Sequence, residues 1–141
     1  MTGVQTCALP ISQKDDSDTY FCSAVNLLGR VEKKTLLIVV SRPRFIVKPP
    51  AKVVVYAGDN LTLNCNATGD PKPIMSWEME RASLPAGRSQ QTGGALVIRN
   101  MKMEDTGKYI CVATTLSVNV LNLKNVAYTE VKGKRYLILM I

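Results

Sequence analysis

The sequence predicts an all-β chain that folds as a two-sheet antiparallel sandwich. Apolar and polar residues alternate strictly from Leu61 to Ala67, which is the period of a strand with one buried face. Clusters of turn-forming residues, such as residues 69–73, separate the apolar runs. No segment sustains the 3.6-residue apolar period of an amphipathic helix, so we expect little helix.

Length and composition indicate an ordinary globular chain. The 141 residues leave room for one domain of usual size plus a surplus, and 46% of them are hydrophobic. The net charge of +7 comes from basic residues spread singly along the sequence. No nucleic-acid partner is expected, because no basic stripe with interleaved aromatic residues is present. Dispersed basic side chains nevertheless favour weak attraction to anionic glycans such as heparan sulfate.

Both ends of the chain depart from the pattern between them. Residues 1–11, MTGVQTCALPI, have no signal-peptide regions and resemble a translated sequencing adapter, so we expect an artefact that leaves Cys7 without a natural partner. We expect residues 133–141 to form a tail outside any domain, consistent with intron read-through. The apolar run Tyr136 to Ile141 is far shorter than the ~20 residues that cross a bilayer, so no membrane span is predicted.

An internal repeat sets the domain organisation. The pattern D-x-[D/G]-x-Y-x-C ends at Cys22 and again at Cys111, roughly one sandwich domain later. Residues 12–40 are therefore expected to be the C-terminal strands of a truncated domain, in which Cys22 lacks its partner. Residues 41–42 are predicted to be a linker, and residues 43–132 a complete domain.

The first strand of the complete domain is predicted to be broken. A strand over Phe45 to Lys48 is interrupted by Pro49-Pro50 before Val53 to Val55 resumes it. Such a break lets an edge strand pass from one sheet to the other.

The buried side chains of the domain follow from the same alternation. It places Leu61, Leu63, Cys65 and Ala67 on the buried face and leaves Asn64 and Asn66 facing water. Later strands are expected to bury further side chains: Met75, Trp77, Leu96 and Ile98.

The order of these residues identifies a family resemblance. Cys65, Trp77, Leu96-x-Ile98 and Asp105-x-Gly107-x-Tyr109-x-Cys111 together resemble an I-set immunoglobulin domain with Greek-key connections, as in contactins, hemicentin and roundabout-type guidance receptors. The interval between the cysteines is too short for the extra hairpin of a variable domain.

The resemblance implies a role for several of these residues. It implies that Cys65 and Cys111 form the disulfide between the sheets, that Trp77 packs on it, and that Tyr109 makes a tyrosine corner. It also implies an ion pair between Arg88 and Asp105.

The last hairpin has no turn glycine, unlike the repeat that contains Cys22. Two interpretations remain open for it: a longer strand pair with an irregular loop, or a binding loop. The apolar residues of this candidate binding loop are Leu116, Val118, Val120 and Leu121.

Catalytic chemistry is not expected. The chain has no histidine, so the usual general base and metal ligand are missing, and we predict no enzyme activity, no metal and no cofactor. Asn60-Leu61-Thr62 and Asn66-Ala67-Thr68 are N-glycosylation acceptors, which with a disulfide indicate an extracellular location.

We therefore expect a non-catalytic module of a multidomain adhesion or recognition protein, binding homophilic or heterophilic protein partners through sheet faces and loops. Two alternatives remain. One is a piece of the ectodomain of a receptor tyrosine kinase or phosphatase. The other is an intracellular, titin-like structural domain.

Overall fold

The chain divides between Ser41 and Arg42 into two compact units. The computed structural model describes residues 17–116 and 122–136. Among these residues the only helical element is a 3₁₀ turn, Met103–Asp105, and nearly all other regular structure is strand. The predicted all-β class is confirmed.

The first unit contains an antiparallel hairpin of β1 (Asp18–Asn26) and β2 (Gly29–Leu37). The side chain of Asn26 accepts hydrogen bonds from the backbone N–H groups of Leu28 and Gly29, which closes the two-residue turn. Cys22 is disulfide-bonded. The expectation that it is unpaired is therefore wrong, because it followed from the strands missing from a truncated domain; Cys7 lies outside the described residues.

The described part of the second unit contains nine strands. They are β3 (Arg44–Val47), β4 (Lys52–Tyr56), β5 (Leu61–Asn64), β6 (Asn66–Thr68), β7 (Ile74–Met79), β8 (Ser89–Thr92), β9 (Ala95–Ile98), β10 (Gly107–Thr115) and β11 (Leu123–Lys134). One layer of the sandwich is the sheet ordered β4-β11-β10-β7. The opposite layer consists of β5-β9-β8 and the pair β3-β6.

The broken first strand changes sheets as predicted. Strand β3 pairs antiparallel with β6 in one layer, whereas β4 pairs parallel with β11 in the other. The prolines between them lack N–H donors, so the chain leaves the first ladder there without losing a hydrogen bond.

The core lies between the two layers and is built from the predicted alternation. Leu61, Leu63, Cys65 and Ala67 are buried, and the intervening asparagines are exposed. Leu96 and Ile98 from β9 meet Trp77 from β7 in the same cluster. Met101 and Val131 complete it, and the sequence patterns did not identify either residue.

The domain extends beyond its expected end at Lys132. Gly133 and Lys134 continue β11 and pair with Val55 and Tyr56 of β4, so the predicted tail of residues 133–141 begins too early. The ring of Tyr136 then stacks on that of Tyr56, with centroids 4.6 Å apart. The sequence did not show that β11 continues past Lys132, because the strand that pairs with its last residues, β4, is far away in sequence.

Candidate interaction surface

A disulfide and a tryptophan connect the two layers. Cys65 and Cys111 are joined across the core, with Cα atoms 6.5 Å apart. The buried Trp77 belongs to the same cluster, and its indole N–H donates a hydrogen bond to the carbonyl of Gly94 at 3.0 Å. The backbone N–H of Cys65 donates to that carbonyl at 2.9 Å, so one carbonyl oxygen accepts hydrogen bonds from residues of both layers.

Arg88, Asp105 and Tyr109, to which the resemblance assigned structural roles, contact one another at one end of the sandwich. The hydroxyl of the buried Tyr109 donates a hydrogen bond to the carbonyl of Asp105 at 2.7 Å. The carboxylate of Asp105 accepts two hydrogen bonds from Arg88 and a third from the backbone N–H of Lys102. A bidentate pair with an added backbone donor is a rigid arrangement.

These contacts shift two titrations in opposite directions. The hydrogen bond from Arg88 holds the pKa of Asp105 below its usual value of 3.8, and the N–H of Lys102 acts in the same direction. Burial raises the pKa of Tyr109 from 10.0 to about 12. Both shifts come from the contacts that hold this end of the sandwich together.

Both glycosylation acceptors lie on the β5-β6 layer. Asn66 faces outward from β6, and its Oδ1 accepts a hydrogen bond from the N–H of Ala67 at 2.9 Å. Asn60 immediately precedes β5, and its Oδ1 accepts from the N–H of Asn100 at 3.1 Å. Both asparagines are exposed, and within the described part of the chain their Nδ2 atoms, to which a glycan would be attached, make no hydrogen bond.

The outward side of the β4-β11-β10-β7 sheet carries no glycosylation acceptor in the described residues; we call it the acceptor-free face. An apolar area lies on it. Ile74 of β7 is 55% exposed, Val126 of β11 38% and Tyr128 of β11 50%. Ile110 and Val112 of β10 are the cross-strand partners of Tyr128 and Val126. The apolar side chains are therefore neighbours on one surface.

Four charged residues lie in a row across the acceptor-free face, at the level of Glu130, two residues along β11 from Tyr128. Register places Lys52 beside Glu130, and Glu130 beside Lys108. The backbone N–H of Glu80 donates to the carbonyl of Lys108, which puts Glu80 next in line. We call these four residues the charged row. Three of them, Glu80, Lys108 and Glu130, line a depression of about 490 Å³.

The candidate binding loop is only partly described. Leu116 follows β10 and is exposed, whereas Val118, Val120 and Leu121 lie outside the described residues. In the part of the chain that the structure covers, no cluster of acidic, cysteine or histidine side chains could hold a metal ion. The same part contains no helix long and apolar enough to cross a membrane.

This geometry agrees with the comparison to known families. A profile of the immunoglobulin domain matches residues 42–115, just over half of the chain. The chain belongs to the immunoglobulin domain family. In the described residues β7 is an edge strand of its sheet, which agrees with the expectation that the interval between the cysteines is too short for the extra hairpin of a variable domain.

Curated relatives of this immunoglobulin domain include adhesion-type proteins that the resemblance anticipated. The chain is 37% identical to hemicentin-2 of Mus musculus over 113 residues, covering 77% of this chain and 2% of that protein. It is 39% identical to neuroglian of Drosophila melanogaster over 101 residues, covering 71% of this chain and 8% of that protein. The chain thus spans less than a tenth of the length of either relative.

A solved structure is similar in fold to this chain. It comprises extracellular domains 3–5 of Drosophila OTK, with a TM-score of 0.74 and 26% identity. The match covers 87% of this chain and 42% of that one.

The sequence did not reveal the acceptor-free face or the charged row. Each charged residue looked like ordinary surface charge, because three of the four come from different strands, Glu80 follows a fourth, and only the sheet register brings them to one level. The alternation around Tyr128 was the available signal: exposed apolar residues in a strand whose other face is buried.

Proposed function

We propose that this immunoglobulin domain is a non-catalytic extracellular module of a multidomain adhesion or recognition protein, and that it binds other proteins through its acceptor-free face. One observation carries the proposal: both glycan acceptors lie on one layer, and the exposed side chains of Ile74, Val126 and Tyr128 lie on the other. Glycans are bulky and solubilising, so they shield one face and leave the other for contact.

The composition of the acceptor-free face supports a protein partner. Protein interfaces have an apolar centre with a charged margin, and aromatic residues are enriched in them. Here Tyr128 and Val126 form the centre and the charged row lies at one side. Tyrosine contributes a large contact area at low conformational cost.

The inter-sheet disulfide supports an oxidising location. Disulfides persist in the secretory route and outside the cell, and they are rare in the cytosol. We propose the cell surface or extracellular matrix as the place of this module. Heparan sulfate is a proposed additional ligand, because Lys132 and Lys134 project from one side of β11.

The location is tested by the mass of the full chain after secretion from a eukaryotic cell. We expect a mass above that of the polypeptide that falls with glycosidase, and no thiol alkylation under non-reducing conditions. Asn60→Gln and Asn66→Gln should each remove one increment. An unshifted mass together with two alkylated thiols at Cys65 and Cys111 would support an intracellular structural role instead.

The binding face is tested by moving a glycan onto it. Val126→Asn with Tyr128→Thr creates an N-x-T acceptor in the centre of the acceptor-free face. We expect a multimerised form of the glycosylated variant to lose binding to cell surfaces that the unchanged chain binds. Gln90→Asn is the matched control, because it creates an acceptor with Thr92 on the exposed strand β8 of the opposite layer. Equal binding by both variants would contradict the proposal.

A further inference from the structure

The charged row has an order that fits a second copy of itself. Across the strands β4, β11, β10 and β7 it reads Lys52, Glu130, Lys108 and Glu80, so positive and negative charges alternate. At about 4.8 Å between strands the row spans about 14 Å. Among the described residues, no salt bridge joins any two members, although Lys108 lies over the ring of Tyr128 at 4.3 Å.

A two-fold axis parallel to the strands, placed between β11 and β10, makes the row its own complement. Such a rotation reverses the strand order of the second copy and keeps each residue at its level along the strands. Lys52 of one copy then faces Glu80 of the other, and Glu130 faces Lys108. All four contacts across the interface join opposite charges.

The same rotation matches the apolar residues. Tyr128 of one copy faces Ile110 of the other, and Val126 faces Val112, because these pairs are register partners on β11 and β10. Tyr128 and Ile110 thus give an apolar contact at one level, with the exposed Glu78 beside Ile110 at its margin. Val126 gives a smaller apolar contact at the next level, because Val112 is only 8% exposed, and charges meet opposite charges at a third. Complementarity of both kinds sets the orientation of the two copies.

We infer that the acceptor-free face associates with a second copy of this chain, in an isologous dimer whose two-fold axis runs parallel to the strands. This inference rests on the proposed function, and it identifies the protein bound by the acceptor-free face as a second copy of this chain. The glycan acceptors lie on the opposite layer and leave this association open.

The expected dimer is weak. Strands β10 and β11 run side by side over nine residue pairs, whereas β4 and β7 flank them on opposite sides of the charged row, so the rotation superposes a face about two strands wide and about 30 Å long. Its area of about 300 Å² per copy is below that of most stable interfaces. Sedimentation equilibrium of the full, glycosylated chain between about 1 μM and 1 mM therefore covers the expected range.

Charge reversal tests the geometry. Glu80→Lys and Lys52→Glu each put like charges at two symmetric contacts, and we expect each to weaken self-association about tenfold or more. An equimolar mixture of the two variants restores opposite charges at both contacts, so it should associate within about threefold of the unchanged chain. Arg99→Glu, an exposed reversal next to β9 on the opposite layer, is the control and should have no effect.

The mixture keeps the test independent of folding, because two destabilised variants do not rescue each other. The inference is overturned if the unchanged chain is monomeric throughout the range, if neither reversal weakens association, or if the mixture stays monomeric while each variant retains its melting temperature. A monomeric chain that still loses cell-surface binding with the glycan at position 126 would overturn the dimer and leave the proposed function standing.

Discussion

Arg88 donates two parallel hydrogen bonds to the carboxylate of Asp105, from Nη1 to Oδ2 at 2.8 Å and from Nη2 to Oδ1 at 2.9 Å. Nη1 also donates to the carbonyl of Asn100 at 2.9 Å, so the guanidinium joins the end of β9 to the 3₁₀ turn before β10. Asp105 is buried, and its carboxylate has donors on both oxygens. The pair closes the end of the sandwich.

Asp105→Asn should make the domain less sensitive to acid. The pKa of Asp105 is lower in the folded chain than its usual 3.8, so its contribution to stability is present above that value and is lost as pH falls through the folded pKa. At pH 7 the variant should lose about 1.5 to 3 kcal/mol of unfolding free energy, the usual contribution of a hydrogen bond to a charged group.

Urea unfolding at pH 7 and below pH 3 checks this expectation. The difference between the unchanged chain and Asp105→Asn should shrink at the lower pH. Glu104→Gln changes a neighbouring exposed carboxylate and serves as the control. A difference that stays constant with pH would contradict the assignment of the acid sensitivity to Asp105.

Tyr109→Phe should remove the tyrosine corner without opening the core. The variant leaves the carbonyl of Asp105 without its buried donor, which costs about 1 to 3 kcal/mol. The pKa of Tyr109 is raised from 10.0 to about 12, so its stabilising effect is complete below pH 10 and is lost as pH rises towards 12.

Thermal melting between pH 9 and 11.5 separates the two effects. The unchanged chain should lose stability more steeply across this range than Tyr109→Phe. Tyr128→Phe, at an exposed position, should follow the unchanged chain. Equal slopes for the unchanged chain and Tyr109→Phe would argue against a buried, titrating hydroxyl.

Replacing both Cys65 and Cys111 by alanine should destabilise the second unit by about 4 kcal/mol, because the bond closes a loop of 46 residues in the unfolded chain. Denaturant unfolding should also show a larger m-value, since the uncrosslinked chain exposes more surface when it unfolds. Cys22→Ala, which removes a disulfide-bonded cysteine from the first unit, is the matched control. Loss of less than about 1 kcal/mol in the double variant would contradict a constraining role for the bond.

Much of the fold could be predicted from the sequence because strand alternation is local. The alternation from Leu61 to Ala67 fixed the buried face before any partner strand was known, and the double proline after Lys48 marked the change of sheet. Both depend on residues within one short segment.

The charged row on the acceptor-free face could not be predicted from local alternation, because it depends on the register between distant strands. Lys52 and Glu130 are neighbours only through the parallel pairing of β4 with β11. The same pairing extends the domain through Gly133 and Lys134. A single segment carries no record of which strand lies beside it.

The requirement for glycine at position 94 also depends on a contact with a distant strand. Alanine substitutions at Gly93 and Gly94 should therefore differ in their effect on stability. Gly93 and Gly94 form the turn between β8 and β9, but nothing in the sequence shows what that turn touches. A Cβ on Gly94 would overlap the carbonyl oxygen of Cys65, which belongs to the backbone and cannot rotate away as a flexible side chain could. At Gly93 a Cβ would meet open space, although φ there is 57°.

Gly94→Ala should therefore cost more than about 3 kcal/mol, because it forces apart the backbones that carry Cys65 and the hydrogen-bond acceptor of Trp77. Gly93→Ala should cost only about 1 to 2 kcal/mol, the strain of a left-handed residue. Equilibrium unfolding, with tryptophan fluorescence as the readout, compares the two. Near-equal losses would mean that turn conformation, and not the close approach to Cys65, determines the requirement for glycine at this turn.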